Sequence, residues 1–344
     1  MSNIKLSWYL YTLELKYPFG ISHNTRTTTP AVMVEIEYEG LTGYGEASLP
    51  PYLKETQQSV HSFLKKIDLS FFEDKPDLEA IFSDIDNLMP GNTAAKASID
   101  IALHDLVGKM TKLPVYKMYD IPPKEKLTSY TIGIDTTEVM IQKIQEAGNF
   151  HYIKAKLGTS DDVRIINTIR TETDKPIYAD INQGWKNREE ALDFTISLAE
   201  NNVLLIEQPF RKTNYRDTAW LTARSPIPIV ADEAVQRLSD LEKVKDAYTG
   251  INIKLMKSTG IAEAHKMITR ARELNLKVML GCMTESSCAI SAAAHLSPLA
   301  DWVDLDGNIL IKNDNFKGVK ATNGSIAPGN LPGLGITKLQ PSLN

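Results

Sequence analysis

Cysteine is scarce in this 344-residue chain. Only Cys282 and Cys288 occur, too few for a disulfide framework, and this fits a reducing, cytoplasmic setting. There is no basic stripe. The net charge is −5, from 38 Lys+Arg and 43 Asp+Glu, which argues against nucleic acid as a partner. No window approaches the ~18 apolar residues of a membrane span, so no membrane partner is expected. Met1–Leu15 carries Lys5 and Glu14 among alternating apolar residues and lacks a continuous apolar core. It reads as a strand and not as a signal peptide. Zinc ligation is also missing: no histidine has a partner at ligand spacing, and the cysteines are Cys-x5-Cys. His104 lies in a helical run of 97–107 and reads as a satisfied core residue. The glycines of Gly40–Gly45 lack the spacing of a dinucleotide fingerprint, and no helix opens behind them. They read as a turn feeding a short third strand.

What is present is an ordinary globular composition, 42% hydrophobic and 24% charged. The length suits two domains, or one barrel with an appendage. The first ~120 residues read as α+β, with strands at 4–16 and 31–38 followed by helical periodicity at 55–67, 77–87 and 92–110. After Leu127 short apolar runs alternate with amphipathic helices. Strands are expected at 127–133, 151–157, 177–182, 203–207, 228–232, 251–255, 277–283 and 302–305. Helices are expected at 137–148, 160–173, 187–200, 214–224, 239–247, 260–274 and 285–297. Continuous apolar strands indicate a sheet covered on both faces, and strict alternation indicates parallel pairing with right-handed crossovers. Eight such units close into a TIM-like (β/α) barrel. The open alternative, a doubly wound sheet, would concentrate glycines after its first strand, where Gly133 stands alone. The segment Asn330–Thr337 lies beyond the last strand and is expected to return to the N-terminal part.

Polar residues sit at the ends of these strands: Thr131, Lys154-Ala-Lys156, Asp180-Ile-Asn182, Glu207-Gln-Pro, Asp232-Glu233, Lys254, Cys282 with Thr284, and Asp304-Leu-Asp306. One such charge is an ordinary solvated terminus. A series of them is costly in apolar strands unless the charges are paired or bind a metal, and the carboxyl ends of barrel strands form the active-site mouth. Asp180, Glu207 and Asp232 lie on consecutive strands. Three hard oxygen ligands suit Mg²⁺, with Mn²⁺ the alternative. Strands two and six of eight lie on opposite sides of a barrel, so Lys156 and Lys254 face each other across the mouth. A carbon held between them could lose a proton to one lysine and regain it from the other on the opposite face. That is a 1,1-proton transfer, an epimerisation or racemisation. Divalent-metal binding of the adjacent carboxylate neutralises the charge of the enediolate so formed. A lysine base must have its reference pKa of about 10.4 brought down, and nearby positive charge (the metal and Lys154) would do so.

These motifs, with Asn252-Ile-Lys254-Leu-Met-Lys257, resemble the enolase superfamily and its muconate-lactonising subgroup over almost the whole chain. The resemblance implies a modified (β/α)7β barrel at 123–321 and an α+β capping domain at 1–122, joined by 322–344. It also implies an isomerase with Lys156 and Lys254 catalytic, Asp180, Glu207 and Asp232 on the metal, and Asn182 behind them. Asp304-Leu-Asp306 resembles the Asp-x-Asp of dipeptide epimerases, and two carboxylates suit the α-ammonium of a dipeptide inverted at its C-terminal residue. A capping loop near 19–27 would lie over the mouth. Its Arg26 resembles the arginine that Ala-Glu epimerases use for the glutamate side chain, which points to L-Ala-D/L-Glu and to cell-wall peptide turnover. Thr131, Lys154, Cys282 and Thr284 match substrate-lining positions. The alternatives within the superfamily are a muconate cycloisomerase, an o-succinylbenzoate synthase or an N-acyl amino acid racemase. Outside it, the alternative is a non-catalytic barrel that binds an anionic ligand. The family is often oligomeric, so a homo-oligomer is also in view.

Overall fold

A computed structural model describes residues 4–21 and 24–340. Met1–Asn3, the end of the tail at 341–344, and Ser22 and His23 of the expected 19–27 loop lie outside the described residues.

The chain opens with an antiparallel sheet of β1 (Lys5–Ile21), β2 (Asn24–Tyr38) and β3 (Leu41–Ser48), paired in that order. The first two form a long hairpin with a register shift between Glu14 and Phe19, and its tip carries Phe19 and Arg26. The glycine cluster behaves differently from expectation. The turn is only Glu39–Gly40, both at positive φ, and Gly43 and Gly45 lie inside β3. The reason is packing. Helices α1 (Gln57–Leu64) and α2 (Leu78–Leu88) follow the sheet, and then α3 (Thr93–Thr111) lies directly on β3. A Cβ at Gly45 would sit 1.9 Å from the Ser98 carbonyl oxygen, and one at Gly43 would sit 2.1 Å from that of Ala102. Every residue of α3 from Thr93 to Gly108 is buried, as befits a helix covered on all sides. His104 is a satisfied core residue, its ring nitrogens bonded to Asp100 O (2.8 Å) and the Tyr119 hydroxyl (2.6 Å).

A short helix α4 (Val115–Met118) and strand β4 (Lys126–Leu127) lead into the second unit. All eight strands and seven helices expected there are present, in order. They are β5 (Ser129–Ile132), α5 (Thr137–Glu146), β6 (Tyr152–Lys156), α6 (Asp162–Glu172), β7 (Ile177–Asp180), α7 (Arg188–Glu200), β8 (Val203–Glu207), α8 (Tyr215–Thr222), β9 (Ile229–Ala231), α9 (Leu241–Val244), β10 (Gly250–Ile253), α10 (Ile261–Glu273), β11 (Lys277–Gly281), α11 (Ser287–Ala294) and β12 (Trp302–Asp304). The strands are parallel and ordered β5 to β12. The ring closes through a parallel bridge between Thr128 and Val303, reinforced by Leu305 N donating to Thr128 Oγ1 (2.8 Å). Asn187, Asn214 and Ser286 cap α7, α8 and α11 with their side chains, which is why these helices begin where they do.

Two acids of the N-terminal unit fasten it to barrel helices. Asp100 of α3 accepts from the first amides of α10, Ile261 N at 2.5 Å and Ala262 N at 3.2 Å. Gly260, at φ +115°, has no room for a Cβ beside that carboxylate. Glu46 of β3 accepts from Ser286 N (2.9 Å) and Ala289 N (3.3 Å) at the start of α11. Both satisfy orphan helix N–H groups at the positive end of the dipole. The tail returns as expected: Leu334 N donates to Asp105 of α3 at 2.8 Å, and Gly333 O accepts from Val115 N at 3.0 Å. Among the described residues no helix is long and apolar enough to cross a membrane.

Candidate active site

At the carboxyl ends of the barrel strands lies a cavity of about 310 Å³, roofed by the hairpin tip and by Pro50–Tyr52. Of the residues singled out in the sequence, Arg26, Thr131, Lys154, Lys156, Asn182, Asp232, Lys254, Cys282, Thr284, Asp304 and Asp306 line it. Asp180 and Glu207 lie fully buried and bonded to its lysines. Parallel register explains the convergence, because Lys156, Asp180 and Glu207 end three neighbouring strands side by side.

The three acids Asp180, Glu207 and Asp232 offer ligand oxygens all within 4.8 Å of one another. Lysines hold both ends of the trio. Lys156 Nζ donates to Asp180 Oδ2 at 2.6 Å, and Lys254 Nζ to Asp232 Oδ2 at 2.7 Å. Burial opposes ionisation of Asp180, but Lys156 and Lys154 overcome it and hold the carboxyl below its usual range. At Asp232 burial is likewise outweighed by Lys254 and Lys257, and the carboxyl is held well below. Glu207, between them, is pushed up to about 7 by burial and by the Asp180 charge. Its Oε2 meets Lys154 Nζ at 2.8 Å without hydrogen-bond alignment, and Asn182 Oδ1 is buried with no hydrogen-bond partner among the described residues. Crowded like charges with spare hard oxygen atoms fit a divalent cation such as Mg²⁺.

One expectation depends on the metal and another changes. By its protein neighbours alone Lys254 is held well above its ordinary pKa. Burial alone would lower it, but Asp232, Tyr52 and Glu207 outweigh burial. A cation on the same carboxylates competes for that charge, and the lowering expected of a base depends on it. Secondly, Lys154 and Asp304 are already engaged with each other. Lys154 Nζ donates to Asp304 Oδ2 at 2.7 Å and contacts Asp180 Oδ2 at 3.2 Å, while Asp304 Oδ1 accepts from Ser129 Oγ at 2.6 Å. Asp306 accepts from Thr131 N at 2.7 Å, and is pushed up to about 7 by burial and by Asp304.

Arg26 reaches the cavity. Its Nη2 donates to Thr284 Oγ1 and its Nε to Thr29 Oγ1, both at 3.1 Å, and its guanidinium lies 5.0 Å from the centre of the Phe19 ring. Cys282 is half-buried in the cavity wall, its thiol raised by burial and then by Glu285. Sequence reasoning named Phe19 only as part of the capping loop, and assigned no role to Tyr52 and Glu233 of the cavity wall or to the fully buried Gln208. Gln208 Oε1 accepts from Asp232 N and Ala234 N at 3.0 Å and sets the turn that carries Asp232. Gln208 and Glu233 each sit beside a metal-site acid, and that adjacency was the available signal. Phe19 belongs to the capping loop expected over the mouth, whereas Tyr52 comes from the other unit and left no signal.

Residues 7–119 match the mandelate racemase / muconate lactonizing enzyme N-terminal domain, and residues 137–340 match the enolase C-terminal domain-like family. The chain belongs to the enolase superfamily. A family relative, the L-Ala-D/L-Glu epimerase of Bacteroides thetaiotaomicron, is 54% identical over 98% of this chain and 88% of its own. A substrate-liganded L-Ala-D/L-Glu epimerase from Bacillus subtilis superimposes with a TM-score of 0.90 at 29% identity, over 98% of this chain and 99% of that one. A dipeptide epimerase from Enterococcus faecalis, complexed with Mg and L-Leu-L-Tyr, gives 0.89 at 30% identity, over 98% and 100%.

Proposed function

We propose that this enzyme is a Mg²⁺-dependent dipeptide epimerase that inverts the C-terminal residue of L-Ala-D/L-Glu. The observation that carries this reading is the pair of lysines held at opposite ends of one carboxylate trio, Lys156 on Asp180 and Lys254 on Asp232.

Asp180, Glu207 and Asp232 would hold the metal, with Asn182 beside them. When bound, Mg²⁺ supplies positive charge against that building on the substrate carboxylate as the α-proton leaves. Lys156 serves one face of the α-carbon and Lys254 the other, so removal by one and delivery by the other inverts the centre. Lys154 adds positive charge beside the acids. Asp306, with Asp304 behind it, accepts the substrate α-ammonium, and Thr131 holds Asp306 in place. Arg26 receives the glutamate carboxylate, and Thr284 and Cys282 complete that wall. The functional units are a cap at 1–122 with 322–344 and a barrel at 123–321. Cell-wall peptide turnover is the matching role, and a cytoplasmic setting agrees with two unpaired cysteines.

In D₂O the enzyme with Mg²⁺ is expected to exchange the C-terminal α-proton of L-Ala-L-Glu and L-Ala-D-Glu while interconverting them, and EDTA stops both. Lys156→Ala and Lys254→Ala each abolish inversion, and each retains exchange on one epimer only. Intact inversion in either variant removes the two-base assignment. A dipeptide panel with varied C-terminal residues, run beside muconate, the succinylbenzoate precursor and N-acyl amino acids, tests the substrate class. Turnover of one of the latter without any dipeptide overturns the reading.

A further inference from the structure

Lys257 lies three residues beyond Lys254 in a turn closed by its own N–H donating to the Lys254 carbonyl at 2.9 Å, is 1% exposed, and is not part of the cavity wall. A buried ammonium needs partners for its three donors, and this one has three. It donates to Asp232 Oδ1 at 2.5 Å, to the Asp232 carbonyl at 2.8 Å and to the Asn252 carbonyl at 2.8 Å. Two of these contacts fix the same residue by side chain and by backbone, and the third ties it to β10, the strand that leads into Lys254. Asp232 is thereby left with one orientation, Oδ1 turned to Lys257 and Oδ2 to Lys254. Among the described residues Asp180 has no such rear anchor from a lysine outside the cavity. Its cationic contacts, Lys154 and Lys156, both belong to the cavity wall.

We propose that Lys257 is a positioning residue for one face of the reaction: by fixing the Asp232 carboxylate it sets the place of Lys254, and at saturating Mg²⁺, where the metal charge that serves both faces is held constant, it leaves the Lys156 face unaffected. The inference rests on the two-lysine reading above. Without Lys257, Asp232 Oδ1 is a buried acceptor that lacks its donor, and the carboxylate turns to find another. Lys254 loses its fixed contact, whereas Lys156 keeps Asp180.

The test uses Lys257→Met, with Lys257→Gln as the companion that keeps an N–H donor. The single-lysine variants first assign each epimer to the lysine facing its α-proton. For Lys257→Met, exchange of the epimer served by Lys254 should fall about tenfold or more, as for loss of a group that orients a functional residue. Exchange of the epimer served by Lys156 should stay within about threefold, and Gln should recover part of the loss. A crystal structure of the variant should show the Asp232 carboxylate rotated and its contact with Lys254 broken. Equal losses on both faces, an unmoved Asp232, or tighter Mg²⁺ binding with symmetric rates would mean that Lys257 is only a counter-charge, and would overturn the proposal. Should Met fail to fold, the same asymmetry is read in Gln, and its absence there is equally decisive. A wild-type enzyme that exchanges neither epimer would instead refute the epimerase reading.

Discussion

Arg26 is where the choice of substrate is made in this proposal. It is a half-buried guanidinium whose pKa is lowered by burial, held by Thr29 and Thr284 in the wall of the cavity. Its planar fork suits a carboxylate, and a charge-assisted hydrogen bond in such a site contributes about 1.5–3 kcal/mol. Arg26→Met is therefore expected to lower kcat/KM for L-Ala-L-Glu by about 10²-fold and to leave L-Ala-L-Leu within a few-fold. Equal losses on both dipeptides in steady-state assays would move Arg26 from recognition to structure.

At the scale of elements, α3 and β3 touch through backbone because Gly43 and Gly45 carry no side chain. A methyl group at Gly45 collides with the Ser98 carbonyl, and neither a strand nor a buried helix can yield locally. Gly45→Ala is expected to cost about 3 kcal/mol in urea unfolding. Gly148→Ala, whose nearest new contact is 3.4 Å away, should stay within about 0.5 kcal/mol. If the two variants unfold alike, close approach is not what holds this pair together. The same strand carries Glu46 to α11, so displacing β3 also disturbs the helix that follows Thr284 of the cavity wall.

For the whole molecule, buried titratable groups set how stability depends on pH. His295 is fully buried, accepts from Tyr116 N at 3.3 Å, and is brought from its ordinary 6.5 down to about 4, chiefly by burial. A histidine depressed in the folded state contributes stability above pH 6.5 and loses it as pH falls towards 4, because the unfolded chain takes the proton first. The full loss is about 3 kcal/mol. Glu46 and Glu285, raised to about 7 and about 8 mainly by burial, act in the opposite sense and cost stability as pH rises above their ordinary 4.5. His295→Asn removes the histidine contribution alone, so in chemical denaturation its stability relative to the parent protein should rise by about 3 kcal/mol as pH falls from 6.5 to 4, while the difference between the two stays constant above pH 7. A difference that does not change with pH would show that His295 does not titrate on unfolding.

Much of this was legible along the chain, because a parallel barrel converts strand order into position. Alternation of apolar runs and helices suffices for the eight strands. Their carboxyl ends must meet at one mouth, so Asp180, Glu207, Asp232, Lys156 and Lys254 could be read as one site without coordinates. What the chain could not reveal depends on the approach of distant segments. Lys154 and Asp304 stand 150 residues apart and pair only because the ring closes β12 onto β5. The placing of Tyr52 in the cavity wall, and of Glu46 and Asp100 on barrel helices, follows from how one unit docks on the other. The local sequence determined which groups each strand carries to the mouth. Only closure of the ring and the docking of one unit on the other decided which of them are already paired and which are left to meet a ligand.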